Sequence, residues 1–120
     1  KHPRANQQQQ TIGSFKMLNG SLSTSGDYQL YFEHDNRRYH HILDPHTGWP
    51  VENVFSVTVI NPSAAWADGL STALFLLPPQ TAIEKLKRHP QSNAVIFHQE
   101  NGQIVSLKSM GMKDLDWHDQ

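Results

Sequence analysis

Two polar clusters in this 120-residue chain contain the residue types that bind phosphates and hard cations. The first covers residues 40–51, H-H-I-L-D-P-H-T-G-W-P-V, and holds two adjacent imidazoles and a carboxylate. The second covers residues 67–73, A-D-G-L-S-T-A, at the start of an apolar helical pattern. Carboxylate and hydroxyl oxygens suit Mg²⁺, and a neighbouring imidazole can accept a proton near neutral pH. The pairing predicts a site for a cation and a phosphate.

Asp68 and Thr72 stand four positions apart, so on a helix they share one face. We expect Asp68 in the first turns of that helix, where the dipole favours negative charge and free backbone amides attract phosphate oxygens. The competing interpretation is structural: Asp68 caps or complements the helix, and Thr72 bonds back to a backbone carbonyl. Spacing alone favours the structural interpretation.

His40 and His41 are adjacent, so on a strand their side chains point to opposite faces. Only one of them can therefore enter a given pocket. Asp44 is close enough in sequence to orient an imidazole and tune its basicity. The alternatives are a purely structural histidine, or zinc binding by these and neighbouring histidines, for which the chain shows no typical ligand spacing.

Short strands and one helical insert surround the two clusters. Strands are predicted where β-branched and aromatic residues concentrate, at residues 15–19, 28–32, 37–43, 54–60, 95–97 and 104–107. Helices are predicted at residues 64–77, ended by Pro78-Pro79, and at residues 81–89. Asn101-Gly102 is typical of a hairpin turn. The pattern predicts an α+β fold, an antiparallel sheet with two helices.

Composition excludes several classes of function. Ten Lys+Arg against eleven Asp+Glu leave no basic stripe for nucleic acid, and no apolar run reaches the length of a membrane span. The absence of cysteine excludes disulfides, thiolate zinc sites and a cysteine nucleophile. Residues 1–12 are polar and contain four consecutive glutamines, so we expect a flexible segment preceding one domain at residues 13–120.

Three blocks resemble, in the same order, the ApbE family of FAD:protein FMN transferases. T-S-G-D-Y at residues 24–28 resembles the family's T-S-G-D-Y. Residues 41–51 resemble H-I-[IL]-D-P-[RK]-T-G-x-P-V, and A-D-G-L-S-T-A-L at residues 67–74 resembles A-D-[AG]-L-S-T-A-L. His46 departs from the family's Arg or Lys, and Gly69 from its commoner Ala. Taken alone, the first block is either a phosphate-binding turn or a hairpin connection.

The resemblance implies a T-fold-like α+β domain and assigns roles in its site. Asp68 and Thr72 would be ligands of Mg²⁺. His41 would lie nearest the flavin phosphate, and Asp44 would orient it or fix the loop. The remaining two assignments are the cofactor-binding residues, Ile42 and Ser71.

The family transfers the FMN part of FAD to a Thr or Ser hydroxyl of a target protein and releases AMP. Its members are much longer, and their N-terminal half supplies a glycine-rich flavin-binding segment and further metal contacts. We therefore expect a C-terminal fragment, inactive alone, whose partners are FAD, an acceptor protein and the missing N-terminal half. The resemblance also implies a bacterial periplasmic or membrane-anchored location. The alternatives are an FAD pyrophosphatase giving FMN and AMP, or a non-catalytic flavin-binding or assembly module.

Overall fold

The computed structural model describes residues 1–4, 10–115 and 118–119. Its strands are β1 (Gly13–Ser14), β2 (Ser21–Gly26), β3 (Tyr31–His34), β4 (Arg37–His40), β5 (Val54–Asn61), β6 (Asn93–Glu100), β7 (Gln103–Lys108) and β8 (His118–Asp119). Its helices are α1 (Ala64–Phe75), α2 (Pro79–Leu86) and a 3₁₀ helix (Met110–Leu115).

The main sheet has four strands in the order β2-β5-β6-β7, and every neighbouring pair is antiparallel. Strand β2 pairs with β5 from Ser21 opposite Asn61 to Gly26 opposite Ser56. Strands β3 and β4 form a separate hairpin, and β1 pairs with β8. The predicted α+β fold, an antiparallel sheet with two helices, is confirmed.

The sheet separates two apolar clusters because successive residues of β5 and β6 point to opposite faces. The larger cluster lies under the helices and includes the fully buried residues Val57, Val59, Ala67, Phe75, Ala82, Ala94 and Ile96. The smaller cluster covers the other face and consists of Ile60, Val95, Phe97 and Met112. Helix α1 therefore has one face fixed against the sheet and one face open.

Several element boundaries differ from the predictions. The predicted strand at residues 28–32 begins only at Tyr31, and residues 15–19 form no strand. The hydroxyl-rich segment Ser21–Gly26 is a strand instead, since pairing with β5 and cover from α1 outweigh its weak intrinsic preference. Helix α2 begins at Pro79, which tolerates a first helical position because it needs no amide donor, and ends at Leu86.

No helix in the described ranges is long and apolar enough to cross a membrane. The longer of the two α-helices, α1, has twelve residues, and five of them are buried against the rest of the protein.

The N-terminal segment touches the domain through Arg4. Its guanidinium forms two hydrogen bonds with the Asp27 carboxylate, which is 4% exposed, and lies 4.0 Å from the centre of the Phe55 ring. Lys1 Nζ lies 5.5 Å from the centre of the Tyr28 ring. Residues 5–9 fall outside the described residues, so flexibility of residues 1–12 stays a prediction.

Gly69 gives a stability test of helix α1. A Cβ built at this exposed position meets nothing within 4 Å, so the substitution Gly69→Ala changes helix propensity without a clash. We expect it to raise the free energy of unfolding by about 0.8–1.0 kcal/mol. Urea denaturation of the protein measures the change.

Gly48→Ala is the matched control for that test. Its Cβ also meets nothing within 4 Å, but the residue has a φ of +73°, which side-chain-bearing residues rarely adopt. We expect a loss of about 1–2 kcal/mol there. A destabilising Gly69→Ala would contradict the assignment of this position to a helix interior.

Candidate functional site

Five oxygen-bearing side chains meet where α1 packs on β2. We call them the hydroxyl–carboxylate cluster; they are Ser23, Ser25, Asp68, Ser71 and Thr72. Ser23 Oγ donates to Asp68 Oδ1 at 3.0 Å. Ser25 Oγ lies 2.9 Å from Ser71 Oγ and 3.1 Å from Thr72 Oγ1. Residues from two elements, 45 to 48 positions apart in sequence, thus form one group.

Two periodicities produce this cluster. On β2, Ser23 and Ser25 are two positions apart and share the face toward α1. On α1, Asp68 and Thr72 are four positions apart and share the face toward β2. Serine has the smallest hydroxyl side chain, so the strand and the helix can approach closely while each hydroxyl still finds a partner.

The directions of the hydrogen bonds follow from Ser71, which is fully buried. Its Oγ lies 2.9 Å from the backbone carbonyl of Asp68, and because a carbonyl only accepts, Ser71 donates there. Ser25 then donates to Ser71 and accepts from Thr72. This arrangement orients the Thr72 hydroxyl so that its oxygen lone pairs stay available on the exposed side of the helix.

Asp68 and Thr72 are the residues of this cluster that could hold a hard cation of the Mg²⁺ type. Asp68 and Thr72 are both exposed, and Mg²⁺ usually takes one or two carboxylates together with water and phosphate oxygens. Among the described residues no three His, Asp or Glu side chains converge, so the geometry offers no histidine cage for zinc. A cation bound at Asp68 would complete its coordination with ligands from elsewhere.

The N-terminus of α1 lies away from Asp68. Ser63 caps the helix and its Oγ accepts from the Trp66 amide at 3.5 Å, while Asp68 stands in the second turn. Since the dipole effect falls off within the first turn, its expected contribution at Asp68 is small. The structural interpretation of Asp68 as a cap is wrong, because Ser63 has that role.

A second polar group occupies the loop between β4 and β5. Two backbone hydrogen bonds close it: Asp44 N–H donates to the Trp49 carbonyl and Gly48 N–H donates to the Asp44 carbonyl, both at 2.8 Å. The Asp44 carboxylate accepts from the His46 amide at 2.8 Å. Asp44 is predicted either to orient His41 or to fix the loop. The contacts seen here are those of a residue that fixes the loop.

His41 lies at the start of this loop with an exposed side chain. Its Nδ1 lies 3.1 Å from the Leu30 carbonyl, which also accepts from the His41 amide at 3.2 Å. Because a carbonyl only accepts, the hydrogen-bond network places the proton of the neutral ring on Nδ1. Nε2 then has a lone pair and can accept a proton from a neighbouring molecule.

The two residues predicted to bind the cofactor have buried side chains. Ile42 is 6% exposed and belongs to the larger apolar cluster, and Ser71 is 0% exposed. Each is next in sequence to an exposed residue of the site, Ile42 to His41 and Ser71 to Thr72. Their contact with a cofactor stays a prediction.

The T-S-G-D-Y block forms a tight structural turn at the end of β2. A Cβ at Gly26 would come within 2.8 Å of the Tyr28 ring, so any larger residue here would make that ring shift. The Asp27 carboxylate is taken up by Arg4. Burial raises the pKa of the Tyr28 phenol and the Asp27 charge adds to this, while a hydrogen bond with Ser56 opposes it. The block joins β2 of the main sheet to β3 of the separate two-stranded sheet, so the predicted hairpin connection is wrong, and phosphate binding by this turn stays a prediction.

The sequence places Ser25 in the T-S-G-D-Y block but indicates no contact between it and Thr72, and it does not single out Ser23. The local signal for both serines is their spacing of two positions, which places them on one face of a strand. Without the pairing of β2 and α1, nothing in the sequence connects them to Asp68 and Thr72.

Known proteins resemble this chain over most of its length. The model of the ApbE family matches residues 1–97. The FAD:protein FMN transferase of Haemophilus influenzae is 38% identical over 98 residues, which are 81% of this chain and 28% of that protein. The FAD:protein FMN transferase of Salmonella typhimurium is 44% identical over 87 residues, covering 71% of this chain and 25% of that protein.

Solved structures show the same fold. The crystal structure of the ApbE protein from Thermotoga maritima superposes with a TM-score of 0.82 at 35% identity and covers 96% of this chain and 36% of that one. The apo form of the Pseudomonas stutzeri flavinyl transferase ApbE gives a TM-score of 0.63 at 41% identity, over 78% of this chain and 30% of that one.

The chain spans about a quarter to a third of the length of these relatives. The family match nevertheless covers four-fifths of the chain, including the loop with His41 and Asp44 and the helix with Asp68 and Thr72. By sequence and by fold, this chain belongs to the ApbE family.

Proposed function

We propose that this chain is part of a Mg²⁺-dependent enzyme that transfers the FMN part of FAD to a Thr or Ser hydroxyl of an acceptor protein and releases AMP. One observation carries the proposal: hydrogen bonds from Ser23 to Asp68 and between Ser25 and Thr72 hold the carboxylate and the hydroxyl together at the exposed edge of the contact between α1 and β2. The chain with this arrangement is 38% and 44% identical to proteins named FAD:protein FMN transferase.

In the proposed reaction the acceptor hydroxyl attacks the flavin-side phosphorus of the FAD pyrophosphate. The bond from that phosphorus to the bridging oxygen breaks, AMP leaves with that oxygen, and the hydroxyl loses its proton. Mg²⁺ bound at this site would neutralise charge on the pyrophosphate. The transition state needs charge stabilisation and alignment more than covalent help from the protein.

Each residue of the site has a part in this scheme. Asp68 supplies a carboxylate oxygen and Thr72 a hydroxyl oxygen to hold the cation. His41 takes the proton of the attacking hydroxyl at Nε2, while its Nδ1–H keeps donating to the Leu30 carbonyl. Asp44 keeps the loop that carries His41 in one conformation.

The remaining parts of the site would come from outside this chain. We call this chain together with the segments that its longer relatives carry the complete protein. We propose that those segments supply the rest of the FAD pocket and further metal contacts, and that residues 13–120 form the C-terminal part of the domain. By family resemblance we also propose a bacterial periplasmic or membrane-anchored location facing the periplasm.

Hydrolysis of FAD to FMN and AMP is the second candidate. The specific observation behind it is the exposed Nε2 of His41, which would accept a proton from water as readily as from an acceptor hydroxyl. Release of AMP without any acceptor protein would favour the hydrolase, and AMP release that requires an acceptor would favour the transferase.

Asp68→Asn tests the metal site. The amide keeps an oxygen for Ser23 but removes the negative charge, so the cluster stays folded while the cation loses its carboxylate. We expect the rate of AMP release by the complete protein with Mg²⁺, FAD and acceptor to fall at least about 100-fold, since metal stabilisation of the transition state amounts to several kcal/mol.

Glu84→Gln is the control for this test. It also removes one exposed carboxylate, but from α2, where Glu84 pairs with Lys87 at 2.7 Å. We expect an unchanged rate. If Asp68→Asn stays within about twofold of the parent rate, the metal assignment is wrong, because losing a carboxylate ligand costs far more than that.

His41→Asn tests the proton acceptor. An asparagine amide can still donate to the Leu30 carbonyl but has nothing at the position of Nε2. We expect kcat to fall about 10²- to 10⁴-fold, the usual contribution of a general base, with a much smaller change in the Kd for FAD. Steady-state rates and calorimetry measure the two quantities.

His34→Asn gives the matched comparison on the same hairpin. His34 is exposed and pairs with Asp35 at 3.3 Å, away from the loop, so its replacement should leave kcat unchanged. A His41→Asn protein that loses FAD affinity but keeps kcat would assign His41 to binding and contradict its role as a base.

A further inference from the structure

His40 is a buried histidine with both ring nitrogens engaged by the backbone. It is 6% exposed. Its Nδ1 lies 3.2 Å from the amide nitrogen of Ile42, and its Nε2 lies 2.8 Å from the carbonyl oxygen of Val51. The scheme proposed for FMN transfer gives this residue no role.

The two partners determine the tautomer of His40. The Ile42 amide can only donate, so Nδ1 offers a lone pair; the Val51 carbonyl can only accept, so Nε2 carries the proton. This is the opposite tautomer to that of His41, whose proton is on Nδ1. The neutral Nε2–H form of His40 satisfies both backbone partners at once, and no other form of the ring does so.

These partners stand at the two ends of the loop that carries His41 and Asp44. The Val51 amide also donates to the Ile42 carbonyl at 3.2 Å, and Leu43 forms a bridge with Pro50. His40 therefore joins the entering and the leaving strand of the loop by side-chain bonds, next to the main-chain bond between them.

The ring of His40 also contacts helix α1. It meets the Phe75 ring edge-on, with 5.7 Å between ring centres and 74° between planes. Phe75 is fully buried and stands three positions after Thr72, so it is a fixed part of the helix that carries the cluster. One side chain thus contacts both the loop with His41 and the helix with Asp68 and Thr72.

We propose that His40 is a positioning residue that sets the placement of His41 relative to the hydroxyl–carboxylate cluster. Its two hydrogen bonds fix the ends of the loop, and its contact with Phe75 fixes the loop against α1. The functional part of this inference rests on the proposed transfer of FMN. A shift of about 1 Å in a catalytic group can cost about 100-fold in rate, so a residue with this role affects kcat without touching substrate.

Three substitutions separate the contacts of His40. His40→Leu keeps an apolar side chain beside Phe75 and removes both hydrogen bonds. His40→Asn places an amide oxygen near the position of Nδ1, where it can accept from Ile42. His40→Gln places an amide nitrogen near the position of Nε2, where it can donate to Val51.

The first readout is amide hydrogen exchange in the loop of the complete protein. For His40→Leu we expect exchange at Ile42, Asp44 and Gly48 to quicken at least about 10-fold, because the loop ends are no longer held and local opening becomes easier. His40→Asn should restore part of the protection at Ile42. Unchanged exchange across the loop in His40→Leu would overturn the inference.

The second readout is the kinetics of FMN transfer by the complete protein. We expect kcat of His40→Leu to fall at least about 10-fold with the KM for FAD within about threefold, and His40→Asn and His40→Gln to recover part of kcat. An unchanged kcat, or no recovery by either amide, would overturn the inference.

Val95→Ala controls for a plain loss of stability. Val95 is 1% exposed, belongs to the smaller apolar cluster on the other face of the sheet, and pairs with Thr58 and Lys108 rather than with the loop. It should lower the melting temperature while kcat and loop exchange stay unchanged; an equal fall in kcat would mean that His40 acts only through stability. If the parent protein transfers no FMN, the proposed function fails, and loop exchange alone decides whether His40 holds the loop.

Discussion

The packing of helix α1 on strand β2 is the contact on which the proposed metal site depends. A helix face that carries a carboxylate and a hydroxyl would ordinarily point to solvent, and here the same face is in contact with a strand. The serines of β2 make this possible, because a buried hydroxyl without a partner would cost about 1–3 kcal/mol. Ser71 avoids that cost by bonding to the Asp68 carbonyl and to Ser25. No buried side-chain nitrogen or oxygen of the described residues lacks a hydrogen-bond partner.

The adjacent histidines His40 and His41 differ in burial and in tautomer, although they are neighbours in the sequence. Alternation along β4 and into the loop buries one ring and exposes the other. Backbone groups then select opposite tautomers: the Val51 carbonyl accepts a hydrogen bond from Nε2–H of His40, and the Leu30 carbonyl accepts one from Nδ1–H of His41. In the proposed scheme the buried ring holds the loop and the exposed ring accepts the substrate proton.

Local patterns predicted much of the fold. The β-branched run of β5, the Ala- and Leu-rich helix α1 and the turn at Asn101-Gly102 all lie where periodicity and turn chemistry indicate. Strand β2 escaped detection because serine favours no strand by itself, and its pairing with β5 is a long-range contact. Helix α2 begins at Pro79, two positions before the predicted start, because a proline that ends one helix can also hold the first position of the next.

The same contrast between local patterns and long-range contacts applies to the site. Spacing alone put Asp68 and Thr72 on one helix face, since that relation is local. The partners Ser23 and Ser25 are more than 40 positions away, and the tautomers of the histidines depend on carbonyl groups of Leu30 and Val51. Such contacts exist only after the chain has folded, so no local pattern could indicate them.

Calorimetry of FAD binding, with and without Mg²⁺, tests the central claim most directly. It compares this chain with the complete protein. If the cluster of α1 and β2 holds a cation for the FAD pyrophosphate, the complete protein binds FAD tightly only with Mg²⁺, and this chain alone binds it weakly or not at all. If the complete protein shows no Mg²⁺-dependent FAD binding, the cluster is not a metal site, and the chain is a family scaffold for binding or assembly without the proposed chemistry.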